Sequence, residues 1–193
     1  DQIKYLINKK DKDFNINSEI FLERIFFKEQ EFLKNFFPQI NKKINFSNQK
    51  LKINYNNNNL SLSGYGKFKI DKEFEDIEYF FNKKENSISF KTNLNIINTK
   101  FHIDNINYKK KDKSKMNLKI EGEQKNNSLN IYSFALNEED NKIKLTNLSL
   151  NESNQIIKID RALLDYLDTE KNKNSYVFKK VKNYNYILNG TSF

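Results

Sequence analysis

Two of the four glycines of the chain lie one residue apart, at Gly64 and Gly66 in the segment LSLSGYGKFKI. A Gly-x-Gly pair can open a loop whose backbone amides hold phosphate, and Gly-Tyr-Gly also occurs in potassium-channel filters. A dinucleotide fingerprint needs a third glycine where the chain has Lys69, and a Walker loop needs Ser or Thr where it has Phe68. A filter needs membrane helices, and no apolar run approaches the roughly 18 residues required. We therefore predict neither a nucleotide loop nor an ion filter.

The remaining reactive side chains do not form a catalytic set. His102 is the only histidine, and the absence of cysteine excludes disulfides, thiolate metal sites and cysteine nucleophiles. Glu138, Glu139 and Asp140 lie together in a predicted turn, where we expect them to be solvated. We therefore predict a protein that is not an enzyme and that holds no cofactor and no metal.

The net charge of +9 arises from 34 basic and 25 acidic residues. A basic chain can bind nucleic acid or an anionic membrane, but here the lysines are scattered. The densest run, Lys109–Lys113, lies between two alternating segments and is predicted to be a solvated loop. Most aromatic residues take the opposite parity from the lysines in the predicted strands, so we expect no nucleic-acid partner.

Alternation with period two runs through most of the chain and is typical of strands with one apolar face. Leu51, Ile53 and Tyr55, for example, alternate with polar residues. Polar breaks such as 56–59 and 123–127 are rich in Asn, which tolerates the conformations of tight hairpins. We predict a mainly β protein: a long antiparallel meander that forms a curved, groove-like or partly open sheet, with one or two short helices.

Two segments depart from this alternation. In KEQEFLKNFFPQI (28–40), Phe32 and Phe36 lie at helical spacing before Pro38, which predicts a short helix. The leucines of RALLDYLDTEK (161–171) have similar spacing and predict a helical turn or a helix.

We interpret residues 1–193 as a single fragment of a larger, elongated β-domain. Residues 1–40 are expected to contain strand structure and the short helix near 28–38, and residues 41–193 the meander. The chain begins at Asp1 rather than Met, so we expect any targeting or anchoring segment to lie outside it.

The glycines share a sequence context. Gly64, Gly122 and Gly190 each end a run of the form apolar-x-apolar-x-Gly, and Gly66 follows two residues after Gly64. By alternation, all four point to the apolar face, where a missing side chain suits a curve, a bulge or a close approach. We predict that 60–70 is one long strand bent at its centre and that the four glycines are curvature positions.

The order of five segments resembles the AsmA-like envelope proteins, the group that contains YhdP and TamB, and in particular a proteobacterial branch with a central domain of unknown function. The segments are FLKNFFPQI, LKINYNNNNLSLSGYGKFKI, FHIDNINYKKKDKSKMNLKIEG, NKIKLTNLSLNESNQIIKID and YILNGTSF. Where members of this family often have a Gly or Pro-Gly turn in the third segment, this chain has lysine, aspartate and serine.

The resemblance implies a long periplasmic β-structure, held to the inner membrane by an anchor outside these residues. It implies an apolar groove that carries phospholipid between the inner and outer membranes, with acyl chains as the partner and no catalytic residues. The candidate groove-lining residues are Leu60, Leu62, Phe68, Ile70, Ile88, Phe90, Leu94, Ile96, Leu118 and Ile120.

Two other functions remain open from the residues themselves. The first is a structural or adhesion β-domain whose apolar faces pack against each other. The second, less favoured, is a sheet that binds single-stranded nucleic acid by stacking bases on Tyr and Phe.

Overall fold

The computed structural model describes residues 2–10, 13–28, 31–153, 155–181 and 185–192. Fifteen strands are present in this part of the chain. The strands are β1 (Gln2–Lys10), β2 (Asp13–Lys28), β3 (Lys43–Asn56), β4 (Asn59–Lys69), β5 (Glu75–Lys84), β6 (Ser87–Ile96), β7 (His102–Ile103), β8 (Tyr108–Lys109), β9 (Met116–Lys125), β10 (Ser128–Glu138), β11 (Asn141–Leu150), β12 (Ile156–Lys158), β13 (Arg161–Leu167), β14 (Lys173–Lys180) and β15 (Tyr186–Ser192).

Thirteen of these strands form one antiparallel sheet in the order β1-β2-β3-β4-β5-β6-β9-β10-β11-β13-β14-β15, with β12 added beside β11. Nearly every strand therefore pairs with the next strand along the chain, as in a meander. The outer strands β1 and β15 each pair with one neighbour among the described residues, so the sheet is not closed. The predicted mainly β, antiparallel and partly open fold is confirmed.

Asparagine supplies most of the backbone conformations that the hairpins require. Asn57 and Asn58 both have positive φ between β3 and β4, and Asn126 and Asn127 repeat this between β9 and β10. Two consecutive positive φ values match the right-handed twist of the flanking strands. The predicted turns at these Asn-rich breaks are confirmed.

The meander is interrupted between β6 and β9, which pair directly. The intervening residues 97–115 leave the sheet and form the small ribbon β7-β8 and a 3-10 helix at Asp104–Ile106. Sequence alternation around Phe101 and Tyr108 predicts further strands of the meander. The structure instead uses these residues to cover the sheet.

Of the two predicted helices, one is shorter than expected and one is wrong. The helix near 28–38 is a 3-10 helix at Glu31–Asn35. Residues 161–167 form strand β13, not a helix. Ala162, Leu164 and Tyr166 alternate onto one face of the sheet. The segment pairs with β11 on one side and with β14 on the other, and this pairing favours a strand although the leucines are also spaced as in a helix. No helix among the described residues is long and apolar enough to cross a membrane.

The strand register aligns one continuous row of side chains across the whole sheet. Residues directly opposite each other in a ladder share a face, so the register identifies the row. Ten of its twelve members are apolar side chains, and the other two are a glycine and a threonine. The row is Ile3, Ile20, Leu51, Gly64, Tyr79, Thr92, Ile120, Phe134, Leu145, Ala162, Phe178 and Leu188. We refer to the face that carries this row as the apolar face.

Candidate functional site

The predicted groove-lining residues of β4, β6 and β9 lie on the apolar face. Leu62 is linked through Phe81 to Phe90 by the register, and Leu94 lies directly opposite Leu118. Ile120 belongs to the continuous row itself. Parity then places Leu60, Phe68, Ile88 and Ile96 on the same face. Ile70 follows directly after β4 and is buried with Phe68.

These residues divide into two groups along the strands. Phe68, Ile70, Ile96 and Leu118 are buried in the hydrophobic core, and Leu94 and Ile120 pack against it. Leu60 and Ile88, at the hairpin end of the same strands, are exposed. Leu62 and Phe90 are intermediate. We call the first region the covered end of the apolar face and the second the open end.

Two segments form a cap over the covered end: residues 31–42 and residues 97–115. Phe101 connects them, because its ring stacks on Phe36 and meets Phe37 edge-on at 5.3 Å between centroids. The backbone N–H of His102 also donates to the carbonyl of Phe36 at 3.0 Å. Phe37 and Phe101 are buried in one cluster with the sheet residues of the covered end. The cap therefore completes a core at this end.

Glu138 attaches the cap to the sheet through a buried carboxylate. Its side chain is 1% exposed. It accepts hydrogen bonds from Tyr108 Oη at 2.6 Å, the Lys111 backbone N–H at 2.7 Å, Asn141 Nδ2 at 3.1 Å and the Ser114 hydroxyl. Three of these four donors belong to the cap. The expectation that Glu138 is solvated with its neighbours in a turn is wrong, because Glu138 is the last strand residue before the turn and keeps the inward parity of Leu136.

Glu75 holds the other end of segment 97–115. Its two carboxylate oxygens accept the backbone N–H groups of Ile97, Asn98 and Thr99 at 3.0, 2.6 and 2.8 Å. Glu75 is buried and shares the parity of Ile77, so it too lies on the apolar face. Segment 97–115 is thus held at both ends by hydrogen bonds to carboxylates of the sheet, Glu75 and Glu138.

Lys110 is buried among these groups, contrary to the predicted solvated loop. Its ammonium group donates to the carbonyls of Ile97 and Lys111 at 2.6 and 3.1 Å. Burial lowers the pKa of Lys110, and the nearby Glu138 and Glu75 oppose that shift. Lys109, Asp112 and Lys113 of the same run, by contrast, are exposed. A run of lysines usually lies in solvent, so the sequence predicts an exposed loop. Lys110 is buried because long-range contacts place it between the sheet and segment 97–115.

Burial raises the pKa of the Tyr108 hydroxyl, and its hydrogen bond to Glu138 raises it further. A neutral phenol is the required donor here, because an ionised one would meet the carboxylate as a like charge. Glu75, Glu138 and Lys110 were not predicted as buried groups. The signal that could have found the two acids is their parity with the apolar residues beside them in β5 and β10.

The glycines make room for side chains and backbone of neighbouring strands. A Cβ on Gly64 would lie 2.7 Å from both Leu51 Cδ2 and Tyr79 Cζ, its partners on the two flanking strands. A Cβ on Gly122 would collide first with the backbone carbonyl oxygen of Asn130 and would lie 3.0 Å from Phe90 Cζ. All glycines in the described residues have negative φ. The close approach is therefore what requires glycine here, rather than an unusual backbone conformation.

Gly66 lies beside a bulge in β3. The register with β4 shifts between Ser47 and Lys50, where Asn48 has a φ of 52°. The side chain of Gln49 occupies the space above Gly66 and is almost fully buried. Its amide donates to the carbonyls of Ser47 and Lys67, and Tyr79 donates to its oxygen at 3.0 Å. Segment 60–70 lies almost entirely in the single strand β4, and the irregularity expected at its glycines lies in the strand beside it.

A cavity of about 700 Å³ lies on the opposite, polar face across β1–β5. Its lining includes the cross-strand rows Phe21-Lys50-Tyr65-Glu78 and Lys4-Glu19-Lys52-Ser63. Lys50 Nζ lies 5.7 Å from the centre of the Tyr65 ring. A second, smaller cavity, of about 360 Å³, lies beside Ile88 at the open end. The predicted lining residues thus include one that faces a cavity, and the larger cavity is a polar cleft.

Comparison of the chain with protein-family models, with curated proteins and with solved structures found no match. The functional interpretation therefore depends on the geometry of the sheet and its cap. Within the described part of the chain, no three acidic or histidine side chains come together as a metal site. His102 is half-buried in β7 beside Asp104, with 3.4 Å between Nδ1 and Oδ1.

Proposed function

We propose that the open end of the apolar face binds the acyl chains of phospholipid, in a segment of an AsmA-like periplasmic protein that transfers phospholipid between the inner and outer membranes. The observation that carries this proposal is an apolar face that continues across twelve strands and whose hairpin end, at Leu60, Phe81 and Ile88, is left exposed beside the cap. At a strand spacing of about 4.8 Å, such a face extends for about 50 Å. That length exceeds one extended acyl chain, so lipid could occupy successive positions along it.

The energetics of this surface suit an aliphatic ligand. Each methylene group removed from water contributes about 0.8 kcal/mol. Leu60, Phe81 and Ile88 offer an exposed apolar surface on adjacent strands, continuous with the half-buried Leu62 and Phe90. No catalytic group is needed for this binding.

The rim of the open end suits a phosphate headgroup. Lys83 lies directly opposite both Leu60 and Ile88, so it shares their face at the hairpin tips. Gln124 follows Ile88 in the same row, and both line the small cavity with Lys83 and with the acidic Glu85. An ammonium group beside an apolar surface provides complementary contacts for an anionic headgroup and its attached chains.

Neighbouring phenylalanines allow a matched crosslinking test. Phe81 points to the apolar face and Phe80 to the polar face, and each is 42% exposed. A photoreactive phenylalanine analogue would be placed at each position, the chain incubated with phosphatidylglycerol vesicles and irradiated, and the covalent adducts identified by mass spectrometry. We expect phospholipid adducts at Phe81 and, to a smaller extent, at Phe90, with little at Phe80.

Equal labelling at Phe81 and Phe80 would indicate non-specific contact with the vesicle and contradict the proposal. Absence of adducts at both Phe81 and Phe90 would also contradict it. The far-UV circular dichroism of each labelled chain serves as the control for folding.

A structural β-domain is the second candidate, and the cap favours it. Segments 31–42 and 97–115 already bury part of the apolar face with Phe37, Phe101 and Tyr108. The open end could be covered in the same way by another protein layer. In that case the Phe81 probe would be shielded from water in the assembled protein and would crosslink to protein in place of lipid.

A further inference from the structure

The cavity of about 700 Å³ on the polar face, which we call the polar cleft, is a slot between two rows of side chains. Its walls are the cross-strand rows that run through Tyr65 and through Ser63, two residues apart on each strand. Ile20 and Leu51 lie between the rows and point to the other face, so backbone forms the floor. The slot crosses five strands and is therefore about 20 Å long, with about 7 Å between the rows. These dimensions suit an extended chain that lies across the strands.

One wall places aromatic rings beside a lysine, although most aromatic residues of the chain have the opposite parity from the lysines. Phe21 and Tyr65 lie directly opposite Lys50, one on each flanking strand. Tyr65 is 53% exposed, and Phe21 is half-buried. Lys50 Nζ lies 5.7 Å from the centre of the Tyr65 ring. The cleft therefore presents an accessible ring with a cation beside it.

Two carboxylates also line the polar cleft. Glu78 lies directly opposite Tyr65 and accepts a hydrogen bond from Asn93 Nδ2 at 3.3 Å. Glu19 pairs with Lys52, with 3.3 Å between Oε1 and Nζ. Both glutamates are exposed, so they keep oxygens that can accept hydrogen bonds from a ligand. A chain with a negative charge on every unit, such as a single-stranded nucleic acid, would meet these carboxylates as like charges.

We propose that the polar cleft binds an acidic saccharide chain that carries a carboxylate on only some of its sugars. A pyranose ring has an apolar C–H face, which stacks on Tyr65, and hydroxyl groups at its edge, which donate to Glu19 and Glu78. Lys50 binds the carboxylate of the stacked sugar. Three lysines and two glutamates line the cleft, so a sparsely charged anion complements it better than a polyanion does. The site does not depend on lipid binding, because it lies on the opposite face from the open end.

Isothermal titration calorimetry with three probes of similar length tests the site. The probes are hyaluronan hexasaccharide, in which every second sugar carries a carboxylate, the neutral maltohexaose, and hexathymidylate. In about 150 mM salt, we expect hyaluronan hexasaccharide to bind with a Kd below about 1 mM and the other two to bind at least about threefold more weakly. Tyr65→Ala should weaken hyaluronan binding at least about tenfold, because it removes the stacking ring. Lys50→Gln should weaken hyaluronan binding about threefold and leave maltohexaose binding unchanged.

Tyr132→Ala is the matched control, because Tyr132 is 44% exposed on β10 and does not line the cleft. It should bind hyaluronan like the unmodified chain. Far-UV circular dichroism checks that each variant is folded, and Lys50→Gln tests the site separately if Tyr65→Ala does not fold.

Three outcomes would overturn the proposal. The first is no hyaluronan binding at about 5 mM oligosaccharide. The second is an equal effect of Tyr65→Ala and Tyr132→Ala, or maltohexaose binding as tight as hyaluronan binding. The third is tighter binding of hexathymidylate that weakens steeply with salt, which would identify the occupant as single-stranded nucleic acid.

Discussion

The two ends of the apolar face are formed by the same strands, but the apolar side chains are buried at one end and exposed at the other. At the covered end, Phe68, Ile77 and Ile96 are buried in the core that the cap completes. At the open end, Leu60, Phe81 and Ile88 are left exposed on the same strands, about ten residues or fewer away. The alternating pattern alone does not distinguish these ends. The difference depends on 31–42 and 97–115, which return to the sheet at one end only.

The comparison also shows that covering a sheet face requires polar attachment as well as apolar contact. The cap is irregular, so its own turns and its short ribbon satisfy only part of its backbone N–H groups, and others need acceptors from the sheet. Glu75 and Glu138 supply acceptors to four of them at the covered end. At the open end, the cross-strand row that contains Leu60 and Ile88 carries Lys83 and Gln124 in place of buried carboxylates. The strands are joined there by tight hairpin turns, so no segment leaves the sheet to cover this end. A buried carboxylate at the end of an apolar row thus marks the covered end.

Removing an aromatic ring should give the largest contrast between the ends. Phe101→Ala deletes a buried ring that joins both cap segments, and we expect it to lower the free energy of unfolding by about 4 kcal/mol. Phe81→Ala removes a ring that is 42% exposed, and the expected loss is about 1 kcal/mol. Urea denaturation followed by circular dichroism measures both. A similar loss in the two variants would mean that the open end is packed as tightly as the covered end.

A second contrast separates adjacent acids of one hairpin. Glu138→Gln replaces a buried acceptor of four hydrogen bonds by a group that can accept at only one atom, and we expect a loss of about 3 kcal/mol. Glu139→Gln removes an exposed pair with Lys111 and should cost less than about 0.5 kcal/mol. Hydrogen exchange should accelerate at 97–115 in the first variant alone. If 97–115 exchanged at an unchanged rate in Glu138→Gln, the cap would be held mainly by its apolar contacts.

Much of the sheet could be predicted because its pattern is local. Alternation predicts strands, and pairs such as Asn57-Asn58 predict the turns that connect them into a meander. The strand at 161–167 was missed since Leu163, Leu164 and Leu167 fit a helical stripe as well as a strand. The choice between the two is made by β11 and β14 on either side. Local spacing cannot supply that information.

The two ends of the candidate site could not be predicted separately. Parity correctly places Leu60 and Ile96 on one face, but whether a face is covered depends on long-range contacts such as Phe101 with Phe37. The buried state of Lys110 is a consequence of the same contacts. The position of Gly64 on the apolar face, in contrast, could be predicted from its apolar-x-apolar-x-Gly run, whereas the role of the glycines in curving the strands stays a prediction. Which ring fills the space at Gly64 required the register.

Alkaline pH should weaken the covered end through Tyr108, with a smaller effect than either contrast above. The pKa of Tyr108 is raised in the folded state by burial and by Glu138, and burial also raises the pKa values of Tyr79 and Tyr166. As pH rises above the ordinary tyrosine pKa of 10, the unfolded chain loses these protons while the folded chain keeps them. The unfolded state then binds fewer protons, so the free energy of unfolding falls with increasing pH.

Lys110 changes the free energy of unfolding in the opposite direction to the tyrosines, and it does so in a lower pH range. Its pKa is lowered in the folded state, so stability rises with pH as the folded chain loses that proton, until the unfolded lysine also titrates near pH 10.5. Above that pH the contribution of Lys110 no longer changes, and the raised pKa values of Tyr79, Tyr108 and Tyr166 continue to lower the free energy of unfolding. Tyr108→Phe removes one hydrogen bond to Glu138 and should cost about 1 kcal/mol at pH 7. The gap between this variant and the unmodified chain should narrow above pH 10.5, when urea midpoints are compared from pH 7 to 11.5. A constant gap across this range would mean that Tyr108 ionises in the folded state as readily as in the unfolded one, and that the cap tolerates a charged phenolate beside Glu138.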